Sequence, residues 1–382
     1  MALTSLGYRP ALDGLRAIAI ASVVSLHAFN WPKGGALGVD LFFVLSGFLI
    51  TALLLNEHLA SGRVSLLAFY GRRARRLCPA LFALLVAWAL GTLTVLAVRG
   101  DLNAEHLHEP LVGLVASLTY TFNLVDIFNY PNDVPASLYH LWSLAQEEQF
   151  YLLWPPVLVL LLHRAPRFVT RLLLVAIAGS LAESVAIGLT AGSDQSVFYR
   201  IYFGPDTHAV PILVGCLFGV WFVRGKLPRV LADQQMRALS AFASLIILVL
   251  AVATFPWDVR LYATPLIAGV SLVAAVLVAA VAFDDCVVAR ILAARPLRFV
   301  GGISYALYLW HPVTLHAVRN PALGVALAFL AAVASQRLVE RRFRRRSRQV
   351  ADDVVAEDRH LKGRPRRLGQ VRLPASEVGR TS

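Results

Sequence analysis

Arg16 and His27 stand 11 residues apart in a stretch that is otherwise almost wholly apolar. At 100° per residue that separation closes to within about 20° of three helical turns. On a helix both side chains then share one face, about 16 Å apart along the axis. A neutral imidazole near a helix end is a candidate general base, because it titrates near neutrality and can take a hydroxyl proton in a transition state. The plainer reading of His27 is an interfacial histidine bonded to a carbonyl. Asp13, three residues before Arg16, can pair with it on the same face. The plainer reading of that pair is a guanidinium reaching out to water with its carboxylate.

Other residues extend the constellation. Asp40, in Gly38-Val39-Asp40, opens the next apolar run at the depth expected for His27. Its carboxylate could orient the imidazole or simply complement a helix N-terminus. The run FYGRRARRLCPA (69–80) packs Arg72, Arg73, Arg75 and Arg76 into five positions. Arg73 and Arg76 share a face if the run is helical, and guanidinium forks suit phosphates. Such a cluster also fixes topology and contacts anionic lipid. In HLWSLAQEEQFYLLWP (140–155), Glu147 and Glu148 are further candidates to orient His27, or a helix start beside an aromatic belt. Glu183, His208 and His311 read first as packing residues. Cys78, Cys216 and Cys286 are too scattered for a disulfide framework, and no metal-ligand spacing is present.

The elements that hold these groups follow from composition. The 382 residues are 58% hydrophobic and 15% charged, with a mean hydropathy of +0.65. A soluble domain is about 45–50% apolar and about 25% charged, so the chain reads as an integral membrane protein. Apolar runs of spanning length lie near 11–29, 37–56, 79–98, 141–162, 170–190, 207–223, 238–255, 261–283, 299–317 and 321–338. Excess Lys and Arg mark cytoplasmic loops. The 57–78 loop holds five Arg and 163–171 holds three with no acid, so both are expected inside. Two crossings then separate them, which makes 112–128 a re-entrant or peripheral helix. The expectation is an all-α polytopic bundle of about ten spanning helices with both termini cytoplasmic.

The net charge of +13 at first suggests nucleic acid. By position it does not: residues from Arg341 onward hold 13 basic and 5 acidic residues. Segment 341–382 therefore reads as a basic, disordered cytoplasmic tail behind a transmembrane domain over 1–340. Most remaining basic residues fall on the same side, where they report orientation and contact with membrane lipid. No nucleic-acid partner is implied.

Five segments in order resemble the acyltransferase-3 family of membrane O-acyltransferases. They are Tyr8 to Arg16 with His27 completing an Arg-x10-His pattern, GVDLFFVLSGFLIT (38–51), FYGRRARRLCPA (69–80), HLWSLAQEEQFYLLWP (140–155) and GGISYALYLWHP (301–312). The resemblance covers residues 7–340. It implies transfer of a short acyl group, commonly acetyl from acetyl-CoA, to a hydroxyl of a carbohydrate or other exported acceptor in a bacterial plasma membrane. It ties activity to Arg16 and His27 and to Arg73 and Arg76. No permanently bound cofactor is implied; acyl-CoA is the donor substrate. Two patterns depart: His208 stands where the family usually has the arginine of Asp-Thr-Arg, and Glu340-Arg341-Arg342 lacks the proline of Glu-Arg-Pro. Many members carry a C-terminal SGNH-type esterase domain, which is expected to be absent here.

Together these readings put Arg73 and Arg76 on the coenzyme phosphates, the pantetheine arm past Arg16, and the thioester near His27. Asp40, Glu147 or Glu148 would orient the imidazole. The rival is a proton-coupled transporter or flippase built on the same buried charges. Against it, no inverted repeat is evident.

Overall fold

The computed structural model describes residues 7–129, 134–190, 192, 194–255, 258–340 and 342–343. The expected tail over 341–382 lies outside the described residues, apart from 342 and 343. Among the described residues, fourteen α-helices account for the architecture and no strand occurs. In chain order they are α1 (Pro10–Phe29), α2 (Leu37–Ser61), α3 (Leu66–Arg99), α4 (Ala104–Leu118), α5 (Phe122–Asn129), α6 (Leu141–Arg164) and α7 (Val169–Thr190). Then follow α8 (Gln195–Phe203), α9 (Val210–Val223), α10 (Gln234–Thr254), α11 (Leu266–Val281), α12 (Val287–Leu292), α13 (Arg295–Ala317) and α14 (Pro321–Ser335).

Each of the ten apolar runs coincides with one of these helices. Among the described residues, six helices are long and apolar enough to cross a membrane by length and composition. The 24 residues of α6 and 23 of α13 are also long enough, at about 1.5 Å per residue, but carry the polar residues of interest. Outer helices expose Leu90, Val175, Leu189, Phe242 and Leu330, side chains that suit lipid rather than water. The chain is thus a multi-pass helical membrane protein. Segment 112–128 is not one helix: α4 ends at Leu118, Tyr120 takes a positive φ of 53°, and α5 begins at Phe122.

Two close helix pairs place the site. Gly47 on α2 lies against α9, where a Cβ would sit 2.0 Å from the Ile212 carbonyl oxygen. Small residues at such crossings let backbones meet where hydrophobic exclusion gives little drive. In the same way α13 meets α1, since a Cβ on Gly301 would fall 1.8 Å from the Asp13 carbonyl oxygen. With Gly301 set against Asp13, the two helices run side by side in one sense, and His311 comes level with His27.

The third element differs from its expected form. The arginine run and the apolar run after it form one 34-residue helix, α3, capped by the Ser65 side chain on the Ala68 N–H. The basic segment is therefore not a loop at a helix mouth. Its arginines are fixed on a rigid rod that enters the bundle.

Candidate active site

A cleft runs between α1, α2, α3, α6 and α13. Its lower lobe, of about 360 Å³, is lined by Arg9, Asp13, Arg16, Arg73, Arg76 and the apolar flank of α2. Its upper lobe, of about 100 Å³, continues past Ser46 and Glu147 to Ser143, Ser304 and Tyr308. Arg16, Ser46, Arg73, Arg76 and Tyr151 line both lobes, so the two form one path.

The arginine end is charge-paired. Arg16 Nη1 lies 3.4 Å from Asp13 Oδ1, and the Tyr8 hydroxyl donates to Asp13 Oδ2 at 2.8 Å. Arg73 lies 3.4 Å from Glu148, both side chains being 17% exposed. The Arg73 guanidinium carbon sits 3.2 Å from the Tyr151 ring centre, which fixes the fork's plane. Arg76 is exposed on the face turned to the cleft mouth. Ser46 and Tyr151 both donate to Glu147 Oε1. The guanidinium groups of Arg9, Arg16, Arg73 and Arg76 beside an apolar wall are suited to a phosphate-bearing molecule with a flexible arm.

The histidine end is built differently. His27, exposed in the last turn of α1, meets the fully buried His311 of α13 with Nδ1 2.8 Å from Nε2. His311 Nδ1 faces the carbonyl oxygens of Tyr308 at 2.8 Å and Leu307 at 3.1 Å. The His140 ring packs 5.5 Å from His311 and 5.4 Å from Tyr308. The Tyr308 hydroxyl donates to the His140 carbonyl at 2.9 Å and lies 2.6 Å from Ser143 Oγ. Tyr308 is the link between the ends, since it lines the cleft and touches the histidine cluster. Among the described residues, no group of three or more His, Cys, Asp or Glu is placed to hold a metal ion.

Two expected contacts are corrected. Asp40 does not orient His27: its Oδ1 is 2.8 Å from His208 Nε2, and its Oδ2 accepts from the Tyr262 hydroxyl at 2.8 Å. His208 Nδ1 lies 2.7 Å from the Tyr202 carbonyl, which completes a closed node. Glu147 and Glu148 do not reach His27 either. Glu147 lines the cleft and accepts from Ser46 and Tyr151, and Glu148 pairs with Arg73, because α3 carries Arg73 deep enough to meet it. The structure thus brings Arg16, Asp13, Arg73, Arg76 and Glu147 together along one cleft, with Glu148 behind it against Arg73. His27 stands beyond its upper end, and Asp40 stands apart. Sequence reasoning missed His311 as the partner of His27 and His208 as the partner of Asp40. The signal for His311 was its place within GGISYALYLWHP, near the end of a span.

Comparison with known proteins adds the chemistry these shapes suggest. The acyltransferase-3 family model, described as an acyltransferase domain, matches residues 9–335. The peptidoglycan O-acetyltransferase OatA of Listeria monocytogenes is 32% identical over 357 residues, covering 87% of this chain and 55% of the relative. The O-acetyltransferase OatA of Staphylococcus aureus is 35% identical over 313 residues, covering 80% of this chain and 50% of the relative. The chain spans about half the length of the curated relatives it matches. No solved structure matches it.

Proposed function

This chain belongs to the acyltransferase-3 family, and from that premise we propose that it moves a short acyl group, acetyl in the first instance, from acyl-CoA to a carbohydrate hydroxyl. Peptidoglycan is the acceptor class its named relatives suggest. The observation that carries the reading is the continuous path from Arg16, Arg73 and Arg76, which line both lobes, to Tyr308, behind which the histidine cluster stands.

In this reading the protein sits in a plasma membrane with both termini in the cytoplasm, as the loop charges favour. Arg73 and Arg76 hold the coenzyme phosphates, and Arg16 flanks the pantetheine arm. The thioester advances through the upper lobe toward Tyr308. An acceptor hydroxyl approaches His27 from the other side. His27 takes the hydroxyl proton as oxygen attacks the acyl carbon, which raises the nucleophile's reactivity at the moment of bond formation.

The test uses the purified full chain in detergent with acetyl-CoA and muropeptides or chitooligosaccharides. Acceptor-dependent release of coenzyme thiol, with an acetylated product by mass spectrometry, is the expected result. Binding of either compound with no thiol release and no product would sink the reading and favour a transporter.

A further inference from the structure

We propose that His311 is the positioning residue of the transfer step: it fixes the tautomer of His27 so that the outward Nε2 is the nitrogen left bare to receive the acceptor proton. The inference rests on the acyl-transfer reading for its chemistry, but its geometric part stands without it.

The argument is hydrogen-bond accounting. His311 Nδ1 faces two carbonyl oxygens, Tyr308 at 2.8 Å and Leu307 at 3.1 Å. A carbonyl oxygen only accepts, so this nitrogen carries a hydrogen. His311 is 0% exposed, and its ring neighbours are His27, His140 and Tyr308. A second proton would bury a charge with no carboxylate against the ring, so the neutral form is favoured and Nε2 is an acceptor. That Nε2 lies 2.8 Å from His27 Nδ1. Two bare nitrogens would repel at this distance, so His27 Nδ1 must be the donor. In neutral His27 the hydrogen is then on Nδ1, and Nε2 keeps its lone pair.

Ring geometry supports a genuine bond. The centroids are 5.1 Å apart with 9° between planes. A nitrogen separation of 2.8 Å is shorter than face-to-face ring contact allows. The two rings therefore lie edge to edge, nearly coplanar, with an in-line N–H···N bond. Gly301 against the Asp13 backbone sets this register, because it fixes how α13 stands beside α1. A carbonyl-anchored imidazole here does for His27 what a carboxylate does in many acid–base pairs: it selects tautomer and ring orientation.

The step balances. The acceptor O–H breaks as its oxygen forms the new C–O bond to the acyl carbon, and the proton passes to His27 Nε2. The C–S bond breaks as the tetrahedral adduct collapses, and the coenzyme thiolate takes up the proton that His27 then releases.

The test has two arms. In 15N-histidine-labelled full-length protein, with His27→Gln assigning the signal, His27 should appear as the Nδ1–H tautomer. An Nε2–H tautomer in the wild type overturns the proposal. In the second arm, His311→Leu removes the acceptor, while His311→Gln places an amide oxygen near the position of Nε2. We expect His311→Leu to lower kcat by on the order of 100-fold with KM for acetyl-CoA within about twofold, and to shift the His27 signal toward the other tautomer. His311→Gln should keep kcat within about tenfold of wild type and retain the Nδ1–H signal. Equal losses in both variants, with no change of tautomer, overturn it. If no acyl transfer is found at all, the wild-type tautomer still decides the positioning role, and the failure belongs to the reaction assignment alone.

Discussion

His208 with Asp40 and His311 with His27 form two hydrogen-bonded pairs built on opposite terms. His208 stands between the Tyr202 carbonyl and the Asp40 carboxylate. The carbonyl requires a hydrogen on Nδ1, and the second contact requires one shared proton between Nε2 and Oδ1. Tyr262 closes the other carboxylate oxygen, and Phe43, Trp142, Tyr202 and Tyr262 wall the node. Every polar atom of the pair is engaged, so nothing is left to react. His311 also begins from backbone carbonyls, but its second nitrogen meets another imidazole rather than a carboxylate. The chain of donors then ends on an exposed His27 with a lone pair to spare. A carboxylate partner makes a histidine part of the framework here, and a carbonyl-anchored partner makes one available for chemistry.

The strongest way to break this contrast is to remove His27. His27→Ala should lower transfer by on the order of 10²- to 10⁴-fold while the protein still expresses and folds, with a stability loss of no more than about 1–3 kcal/mol from leaving His311 Nε2 without its donor. Retained activity would remove His27 from the reaction.

Next in size is the framework pair. Asp40→Ala removes the carboxylate that His208 Nε2 and the Tyr262 hydroxyl both face, in a site where the two ionisable side chains are 0% and 2% exposed. Breaking one half of such a buried pair costs about 3–5 kcal/mol. The thermal midpoint should fall sharply, and any activity loss should track folded protein. His208→Arg sharpens the point, because a guanidinium can still meet Asp40, as the family's usual Asp-Thr-Arg pattern suggests. It should be milder than Asp40→Ala in a thermal shift assay. A catalytic defect in Asp40→Ala at full stability would contradict the division of labour.

A smaller effect is expected at the arginine end, where binding rather than proton transfer is at stake. Arg73→Lys keeps a charge near Glu148 but loses the fork and the stacking on Tyr151. KM for acetyl-CoA should rise by about tenfold with kcat little changed. A fall in kcat alone would move Arg73 from donor binding into the chemical step.

How far the sequence revealed this can be read from particular residues. Helical spacing correctly placed Arg16 and His27 on one helix, whereas Arg73 and Arg76 were given a shared face only on the condition that their segment is helical, a condition that α3 meets. Apolar run length found ten of the helices, including α6 and α13 despite their polar content. Partner choice was not legible. His27 and His311 are 284 positions apart, and nothing local distinguishes His311 from Asp40 as a partner for His27. Depth was the commoner error. Glu147 starts two turns into α6 and seemed level with His27, but the length of α3 was hidden because its arginines read as a loop. Once α3 begins at Leu66, Arg73 reaches Glu148 and takes it away from the histidine end. Asp40 illustrates the remaining limit, since its helix was found but the direction of its side chain depends on a helix, α9, that pairs with α2 through glycines.

Asp126 offers the weakest but cleanest perturbation, because it is a buried carboxylate with neither kind of partner. It sits on α5, outside the helices expected to cross, is 2% exposed, and neither oxygen has a hydrogen-bond partner among the described residues. Burial pushes its carboxyl up to about 8 from an ordinary value near 3.8. The folded state therefore holds a proton that the unfolded chain releases above about pH 4. The stability this group contributes is full below that point, falls as pH rises through the window up to 8, and is lost above it. Asp126→Asn removes the titration without changing the shape. Its thermal midpoint should match wild type near pH 4 and exceed it increasingly toward pH 8, by an amount corresponding to a few kcal/mol at most. Transfer activity corrected for folded protein should not move, since neither histidine pair involves α5. A midpoint difference independent of pH would mean that Asp126 is ionised in the fold and held by a partner. The contrast between paired and reactive buried groups would then have to include it.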